Sequence, residues 1–574
     1  MARLIIDGQT VEINDGATIL QAARKLNIKI PTLCYHPDQA VKANCRICVV
    51  EVEGQSRLVP ACAYPVSDGM VVKTNSHRVR RARWNILELL FAHHSKDCLQ
   101  CDRNGNCELQ TIAQDMHFNR ELRYTQAVRG KGRDLTSPCI TNDPSKCIAC
   151  NRCVYACSQI QTVFALSREN RGFDSVITPS YGRYLADTTC VGCGQCVQAC
   201  PVGALTVHDD RDVVWNMIDD ESKEVVAQVA PAVRITIAEA LGEDPGVVST
   251  GRLVTAMKRL GFDKVFDTDF SADLTIMEEG TEFIQRLTTG GTLPMITSCS
   301  PGWIKFCETY YADLLDHLSS CKSPQGMFGA LIKEYYAPAQ GKAPQDVCSV
   351  SIMPCTAKKF ECKRPELGRN GYQDIDVVLT VQELARMIEQ AGIDFKSLPE
   401  TEFDDPFGLG SGAGEIFGAT GGVMEAALRS VYEIVTKQEL TDIDFHAVRG
   451  FEGIKEATIQ VGDIPVKVAV AHGLGNARKV MDLIREGKAD YHFIEIMACP
   501  GGCIGGGGNP IKNWAKMEHR FEAVYATDRA LPVRKSHRNP VISKVYEEYL
   551  GEPGGHLAHE LLHTHYVDRS SLLK

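Results

Sequence analysis

The spacing of hydrophobic and polar residues divides the chain into a short mixed start, a cysteine-rich middle and a long half in which strands and helices alternate. Residues 4–13 contain two short apolar runs, and residues 17–28 follow with helical spacing. We therefore predict two strands, a turn and an amphipathic helix at the start. From residue 226, apolar runs of strand length precede amphipathic segments with glycine breaks. This pattern predicts βα units, with functional side chains where parallel strands end.

The composition is that of a large globular protein rather than of a membrane or nucleic-acid-binding protein. The 574 residues carry 62 basic and 72 acidic side chains, a formal charge of −10, which argues against nucleic-acid binding. No run of 18 apolar residues is present, and the first residues lack the apolar core of a signal peptide. We expect no membrane span and a cytoplasmic protein.

Cysteine is the unusual residue, with 24 copies, of which 16 lie before residue 201. Most of these 16 fall in groups whose members are spaced by two residues. In a reducing compartment, so many thiols indicate metal ligation or redox chemistry rather than disulfides. Three ligand groups follow one another along this part of the chain.

The first group follows the predicted helix, within an expected domain of residues 1–77. A C-x2-C pair with a flanking thiol on each side suits a [2Fe–2S] cluster, although a structural zinc site would use the same residues. The group resembles a plant-type ferredoxin with a longer first interval. It is more similar to the β-grasp ferredoxin-like domain of the large peripheral subunit of respiratory complex I. Its members are Cys34, Cys45, Cys48 and Cys62.

The second group, in an expected domain of residues 78–137, combines one imidazole with three thiolates. In isolation this set predicts tetrahedral zinc. Its place between iron–sulfur signatures, and the same spacing in that complex I subunit, favour a His-ligated [4Fe–4S] cluster. The adjacent His93 lacks the spacing, and we expect it to be solvated. The ligand set is His94, Cys98, Cys101 and Cys107.

The third group, in an expected α+β domain of residues 138–209, repeats the C-x2-C-x2-C-x3-C run of bacterial two-cluster ferredoxins. In such a pair, the fourth cysteine of each run ligates the other cluster. One [4Fe–4S] cluster therefore takes Cys147, Cys150, Cys153 and Cys200. The other takes Cys190, Cys193, Cys196 and Cys157. In chain order, the three groups predict a series of clusters that carries electrons.

Three motifs in residues 210–574 carry the remaining chemistry. They are TSCSPGW at 297–303, MPCTAKKFE at 353–361 and EIMACPGGCIGGGGNP at 495–510. In this order they resemble the three signatures of [FeFe]-hydrogenases, and the clusters before them resemble the long form of that family with four accessory clusters. The resemblance implies an α/β catalytic domain and a C-terminal tail, from about residue 520, that wraps around it.

In that family the motifs hold the H-cluster, a [4Fe–4S] cubane joined through one cysteine to a two-iron unit with CO, cyanide and a dithiolate amine. By position, Cys355, Cys499 and Cys503 match cluster ligands, with Cys503 as the bridge. Lys358 matches the residue that bonds a cyanide ligand. The other cofactor contacts that the resemblance implies are Gln325, Met353, Pro354 and Met497. The two methionines could instead fill irregular gaps in a core.

One position departs from the usual motif. Many members have two adjacent cysteines where this chain has Cys299 and Ser300. The first matches a thiol that relays protons, and the second stands where a fourth cubane ligand belongs. Either the Ser300 oxygen is that ligand, or the loop shifts and Cys299 ligates.

A helical segment before the first motif predicts a proton path. Glu279, Glu282 and Arg286 are spaced to share one helix face, which by itself is usually a surface charge pattern. In the resemblance they match the family's relay, with Ser319 between the two carboxylates and Cys299 at the inner end. Carboxylates and a thiol can each pass a proton when the site tunes their pKa.

Several cysteines and histidines fall outside every motif. We expect the cysteines to be buried small hydrophobic residues. They are Cys139, Cys307, Cys321, Cys348 and Cys362. Histidines in the tail look like a metal site, but every cofactor already has ligands, so we predict that they form none. They are His556, His559, His563 and His565.

The resemblance predicts an [FeFe]-hydrogenase that reduces protons to H2 reversibly, with a two-iron unit installed by maturation enzymes. No dinucleotide-binding fingerprint or flavin site is evident, so NAD(P)H would need a flavin-containing partner subunit. We favour such a complex over a stand-alone enzyme that takes electrons from ferredoxin. A non-catalytic iron–sulfur electron-transfer or assembly protein is the weaker alternative, because assembly factors usually lack the motif around Lys358 and Glu361.

Overall fold

The predicted start of the chain is a small mixed sheet with one helix. The computed structural model describes residues 1–119, 122–124 and 132–573. The first elements are β1 (Ala2–Ile6), β2 (Gln9–Ile13), α1 (Ile19–Lys25), β3 (Val49–Val52), β4 (Val59–Pro60) and β5 (Val71–Lys73). The strands lie in the order β2-β1-β5-β3-β4, with β1 and β5 parallel. Thr18 begins α1 with a capping box, and the prediction of two strands, a turn and a helix is confirmed.

The cysteine-rich middle consists mainly of loops with short elements between them. The elements are α2 (His77–Ala92), α3 (Glu108–Asp115), β6 (Ile140–Asn142), α4 (Arg152–Tyr155), β7 (Ser167–Glu169), β8 (Val176–Thr178), α5 (Gln195–Ala199) and β9 (Leu205–Val207). β6 pairs with β9 and β7 with β8, both antiparallel. Many of the cysteines pack in one cluster of buried residues, which suits thiols that ligate clusters from several loops.

Strands and helices alternate in the second half of the chain, as the hydrophobic pattern predicts. Up to residue 390 the elements are α6 (Arg211–Ile218), β10 (Glu224–Val229), α7 (Pro231–Ala240), α8 (Thr250–Leu260), β11 (Lys264–Asp267), α9 (Thr268–Thr289), β12 (Met295–Ile296), α10 (Pro301–Tyr310), α11 (Pro324–Leu331), α12 (Ala337–Ala339), β13 (Val347–Met353), α13 (Lys358–Glu361), β14 (Gly368–Arg369), β15 (Tyr372–Gln373), β16 (Val377–Thr380) and α14 (Val381–Gln390). The later elements are α15 (Gly412–Glu415), α16 (Gly422–Thr436), β17 (Ile454–Val461), β18 (Ile464–His472), α17 (Leu474–Arg485), β19 (Phe493–Met497), α18 (Trp514–Ala530), α19 (Pro540–Val545) and α20 (His556–Leu562). Within the described residues, no helix combines the length and the apolar character that a bilayer crossing requires.

Two four-stranded sheets form the centre of this half. The first, in the order β11-β10-β13-β16, is entirely parallel, and every residue of β10 and β13 is buried. Such burial is typical of parallel sheets that are covered on both faces. The second, in the order β12-β19-β18-β17, is parallel except for the β17–β18 pair. The carboxyl ends of β12, β13 and β19 each lead into one of the three motifs.

The C-terminal segment packs back on earlier helices. α18 contacts α7 and α15, α19 contacts α9, and α20 contacts α11. The backbone N–H of Lys322 donates to the Leu562 carbonyl at 2.8 Å. The tail therefore lies against the loop that precedes α11.

A buried ion network joins α16 to α18. The Arg429 side chain is fully buried and lies 2.7 Å from Glu425 and 2.9 Å from Asp528. Both carboxylates are also fully buried, and their other cations, Arg449 and Arg534, are partly exposed. Arg429 therefore balances two charges that water does not reach.

We expect Arg429→Leu to lower the free energy of unfolding by about 3 kcal/mol, because it removes the buried cation that two buried carboxylates share. Thermal unfolding of the cluster-loaded protein, followed by circular dichroism, measures the loss. The control is Arg485→Leu, which breaks an exposed ion pair with Asp313 and is expected to cost less than about 1 kcal/mol. Equal losses in the two variants would contradict this description of the network.

Candidate active site

The three motifs meet at one cavity beside the ends of strands from both sheets. The cavity has a volume of about 80 Å³. The candidate ligands on its wall are Cys299, Ser300, Cys355, Cys499 and Cys503. The candidate cofactor contacts on its wall are Gln325, Met353, Lys358 and Met497. Pro354 lies just behind the wall, where its carbonyl oxygen accepts a hydrogen bond from the Gly508 N–H at 2.9 Å.

Glycine lets the third motif fold tightly against the cavity. Gly502 has a φ of +88°, in the left-handed region, and a Cβ there would lie 2.6 Å from the Thr420 nitrogen. A Cβ on Gly506 would lie 2.2 Å from the Pro354 carbonyl oxygen. A side chain at either position would push these backbone segments apart, so glycine is required for the close approach.

The chemistry of the cavity thiols suits a metal cluster. Burial, followed by the effect of a neighbouring thiol, raises the pKa of Cys355 and of Cys503 to about 12. Burial also raises the pKa of Cys499 to about 12, against a smaller opposing effect of Lys512. Free thiolates are therefore unfavourable here, whereas iron would stabilise them as ligands. The donor set and the close backbone fit the cubane that the sequence resemblance implies.

Lys358 is held by three groups beside the cavity. Its Nζ donates to Ser323 Oγ at 2.6 Å, to Glu361 Oε2 at 2.8 Å and to the Cys299 carbonyl at 3.3 Å. Glu361 Oε2 also accepts a hydrogen bond from Gln325 Nε2 at 3.1 Å. These contacts fix the ammonium group at the cavity wall, so Lys358 is a buried, oriented cation rather than a solvated surface residue.

Ser300 begins helix α10 at the cavity wall. The following Pro301 fits the first helical turn, where no backbone N–H donor is needed. The Ser300 hydroxyl makes no capping bond with its own helix. Its oxygen instead accepts a hydrogen bond from the Ala498 N–H at 3.2 Å, which joins the first motif to the third. A second lone pair remains on this oxygen beside the cavity.

The predicted relay residues lie together, from the interior to the surface. Ser319 Oγ donates to Glu282 Oε2 at 3.1 Å, and Arg286 donates to Glu282 Oε1 at 2.6 Å. Glu279 and Ser319 are buried, whereas the side chains of Glu282 and Arg286 are 14% and 17% exposed. These side chains therefore form a line of polar groups between solvent and the buried part of α9.

Glu279 has the properties of a proton carrier. Burial, followed by the charge of Glu282, raises the pKa of Glu279 to about 8. The Ser319 hydroxyl offsets part of this rise, although by geometry its hydrogen bond goes to Glu282. In the described part of the chain, neither Glu279 oxygen has a hydrogen-bond partner. A carboxyl group with this pKa both accepts and releases a proton near neutral pH. Burial, followed by the charge of Glu279, raises the pKa of Cys299.

The loop predicted to hold the last accessory cluster lies directly against the cavity. Thr356 Oγ1 donates to the Gly192 carbonyl at 2.6 Å. A Cβ on Gly507 would lie 2.6 Å from the Cys193 carbonyl oxygen, so the two backbones touch. Sequence reasoning missed the polar residues that join these loops, because they either lie outside the motifs or occupy motif positions that were given no role. They are Gln161, Gln195, Gln198, Thr356 and Lys512.

The thiols assigned to the two ferredoxin-like clusters group across the repeat. The pKa of Cys153 is raised by burial and then by neighbouring thiols, first those of Cys150, Cys200 and Cys147 and, less strongly, that of Cys196. The pKa of Cys196 is raised by burial and then by the thiols of Cys193, Cys190 and Cys157 and, less strongly, by that of Cys200. The fourth cysteine of each run thus lies with the first three cysteines of the other run.

The four N-terminal cysteines also lie together. Hydrogen bonds from Cys45 and then Cys62 lower the pKa of Cys34. A hydrogen bond from Cys62 lowers the pKa of Cys48 to about 7. The four thiols therefore form one connected group in the loops beside the first sheet.

The His-containing group brings its members to one end of α2 and α3. One surface pocket is lined by His94, Cys98 and Cys107. Burial is the largest cause of the raised pKa of Cys107, and the charge of Cys101 adds to the rise. The expectation that His93 is solvated was wrong. Its ring is buried and stacks on Phe173, with 5.3 Å between the ring centroids, because α2 ends facing the ferredoxin-like unit.

Together, the clustered thiols and the polar line to the cavity define an iron–sulfur oxidoreductase. The model of the iron only hydrogenase large subunit, C-terminal domain, matches residues 223–507, and that of the iron hydrogenase small subunit matches residues 515–569. A 2Fe-2S cluster binding domain, the NADH-ubiquinone oxidoreductase-G iron-sulfur binding region and a 4Fe-4S dicluster domain match residues 1–77, 83–121 and 146–204. The chain belongs to the iron-only hydrogenase family.

Similar proteins cover the whole chain. NADP-reducing hydrogenase subunit HndD of Solidesulfovibrio fructosivorans is 49% identical over 100% of both chains. Iron hydrogenase 1 of Clostridium pasteurianum is 42% identical over 99% of this chain and 100% of its own. The structure of a variant of apo [FeFe]-hydrogenase HydA1 from Chlamydomonas reinhardtii is 45% identical, with a TM-score of 0.57 over 63% of this chain and 99% of its own. Both 2Fe–2S and 4Fe–4S domains thus accompany a hydrogenase domain in this chain.

The buried Glu279 predicts a pH-dependent stability. Because its folded pKa of about 8 lies above the ordinary value of 4.5, the wild-type fold loses stability as pH rises between these values. Glu279→Gln removes the titrating group, so we expect its thermal midpoint to exceed that of the wild type at pH 9 and the difference to shrink towards pH 6. Scanning calorimetry measures both midpoints. The exposed Glu547→Gln is the control, and the same pH trend in that variant would rule out Glu279 as the source.

Proposed function

We propose that this iron hydrogenase reduces protons to H2 reversibly as the hydrogen-converting subunit of an NADP-linked complex. The observation that carries the proposal is the convergence of Cys355, Cys499 and Cys503 on a buried cavity beside the Glu279 relay. When bound there, the H-cluster supplies the metal site at which protons and electrons combine. The protein's own part is to hold this group, exclude water and deliver protons and electrons.

In this proposal the cavity residues hold the H-cluster by complementary chemistry. Cys355, Cys499 and Cys503 would hold the group as thiolate ligands, and Cys503 would also hold the two-iron unit. Ser300 is the proposed fourth cubane ligand, because its oxygen keeps a lone pair while the Ala498 N–H fixes its position. If the loop shifts, Cys299 takes that place instead.

The other wall residues orient the two-iron unit and keep the cavity dry. Lys358 presents an ammonium group for a cyanide ligand, and Glu361 and Ser323 hold that group in place. Met353 and Met497 pack on the wall and exclude water. Gln325 and Pro354 support the same surface through the Glu361 carboxylate and the Gly508 backbone.

Protons reach the cavity through side chains that can exchange hydrogen-bond partners. Glu282 accepts a proton at the surface while Arg286 holds its other oxygen. The Ser319 hydroxyl passes a proton between carboxylates, because a hydroxyl both donates and accepts. Glu279 then protonates the Cys299 thiolate, whose own proton has moved inward. Each group accepts a proton only after it has released one. The direction of proton transfer therefore depends on whether protons are consumed or released in the cavity.

Electrons take a separate route through four accessory clusters. We propose one [2Fe–2S] cluster, a [4Fe–4S] cluster ligated by His94, and the two clusters of the ferredoxin-like unit. The hydrogen bond between Thr356 and the Gly192 carbonyl supports a position for the last of them beside the cavity. This loop and α9 are different segments of the chain, so electrons and protons need not share a path to the cavity.

The partner that supplies or removes electrons is proposed from the full-length similarity to HndD. A flavin-containing subunit that handles NADP(H) would complete the complex, with ferredoxin as the alternative donor and maturation enzymes as the source of the two-iron unit. The described residues contain no disulfide bond, which suits a reducing compartment such as the cytoplasm.

The proposal is tested with the purified chain, matured and loaded with all clusters. We expect H2-dependent reduction of methyl viologen but no reduction of NADP+ until the flavin-containing partner is added, because this chain lacks a dinucleotide-binding fingerprint. Absorbance at the viologen and NADPH bands measures the two activities. Cys503→Ala should abolish viologen reduction, while the matched control Cys348→Ala, at a buried thiol away from the cavity, should retain it.

Two results would contradict the proposal. Reduction of NADP+ by the chain alone would place a nucleotide site on this subunit and remove the need for the partner. Absence of viologen reduction in the loaded wild-type chain would contradict the hydrogenase activity itself.

A further inference from the structure

The C-terminal tail closes over the outer end of the relay and brings a histidine to it. The Thr564 N–H donates to the Ser320 carbonyl at 2.8 Å, and Cys321 and His563 form an isolated antiparallel bridge. An imidazole and a thiol, neither of which the proposed mechanism uses, thus lie directly beside Glu282. Of the four tail histidines, only His563 has this position among the groups that could share a metal ion in the described residues.

Three candidate ligand atoms from three chain segments face one another here. Cys321 Sγ lies 3.8 Å from Glu282 Oε2 and 4.0 Å from His563 Nδ1. All three ligand atoms lie within 4.8 Å of one another. In a tetrahedral zinc site, bonds of about 2.3 Å to sulfur and about 2.0 Å to nitrogen or oxygen place such atoms about 3.5 Å apart. The observed spacing therefore needs only a small contraction.

The surroundings hold the imidazole in the orientation that a metal ligand needs. His563 Nε2 lies 3.1 Å from Glu278 Oε2, which leaves Nδ1 on the side of Cys321. A carboxylate on the outer ring nitrogen fixes the tautomer and strengthens the other nitrogen as a ligand. Glu278 is itself buried and accepts a hydrogen bond from the Gly554 N–H at 2.9 Å, so its position is fixed.

The Ser320 hydroxyl occupies the space between these ligand atoms. Its Oγ lies 2.8 Å from His563 Nδ1 and 3.1 Å from Glu282 Oε2. A cation would replace both hydrogen bonds and take this oxygen, or a water molecule, as its fourth ligand. Glu282 would keep its other oxygen on Arg286.

We propose that Cys321, His563 and Glu282 bind a divalent cation of the zinc type, and that the bound cation stops proton transfer through Glu282. Thiolate and imidazole ligands select Zn²⁺ over Mg²⁺ or Ca²⁺, which prefer oxygen. The 14% exposure of the Glu282 side chain gives the ion a route from solvent. The blocking effect, unlike the binding, rests on the proposed relay, because an oxygen bonded to a cation no longer accepts a proton.

Binding is tested on the matured holoenzyme, in which the cluster ligands are already occupied. One equivalent of Zn²⁺ is added, and the zinc K-edge X-ray absorption spectrum is recorded together with the dissociation constant. We expect one sulfur at about 2.3 Å and one imidazole among the neighbours of zinc. Cys321→Ser should remove the sulfur and weaken binding about tenfold or more, while the matched control Cys348→Ser should change neither. His563→Gln should remove the imidazole, which provides a second variant if Cys321→Ser does not fold.

Equal zinc binding by the wild type, Cys321→Ser and His563→Gln would overturn the site. The inhibition test compares H2-dependent viologen reduction with and without Zn²⁺, each variant being normalised to its own metal-free rate. We expect inhibition of the wild type and of Cys348→Ser, and a shift of at least about tenfold in the inhibiting concentration for Cys321→Ser. Zinc bound with the expected neighbours but without inhibition would overturn the blocking step. An enzyme that never turns over would contradict the proposed function while leaving the binding result readable.

Discussion

The free-energy cost of burying thiols and charged groups together is the constraint on which the catalytic half depends. The thiols of Cys355, Cys499 and Cys503 are uncharged in a dry cavity unless a metal is present, and the Lys358 ammonium needs Glu361 beside it. The two central sheets meet this requirement because their parallel strands β12, β13 and β19 end at the loops that carry the three motifs. The central strands β10 and β13 are buried along their whole length, and residues of the three motifs form much of the cavity wall.

Electrons and protons reach this cavity through structures of different physical character. The electron side depends on close contact between loops, since the Thr356 hydroxyl donates to the Gly192 carbonyl and the backbones at Gly507 and Cys193 touch. The proton side depends on burial, since it is the loss of water around Glu279 that brings its pKa to about 8. The tail residue His563 affects only the second side, because it lies beside Glu282 at the solvent end.

The sequence predicts most of the ligands because clusters impose fixed spacing on the chain. The cysteine runs, the β-strand pairs at the start and the alternation of strands and helices after residue 226 are all local patterns. Contacts between distant segments leave no such pattern. His93 was expected to be solvated, yet it stacks on Phe173, and Cys321 meets His563 from a position 242 residues away. Ser323 was missed as a partner of Lys358 for the same reason, since only the folded loop before α11 brings them together.

The central claim is that this cavity holds a two-iron unit with CO and cyanide ligands. Infrared spectroscopy of the anaerobic, matured protein tests it most directly, because CO and cyanide stretches fall where protein absorbs little. We expect bands of both ligands that shift when the sample is placed under H2. Absence of these bands in protein whose accessory clusters are fully loaded would contradict the claim and leave a chain that only transfers electrons.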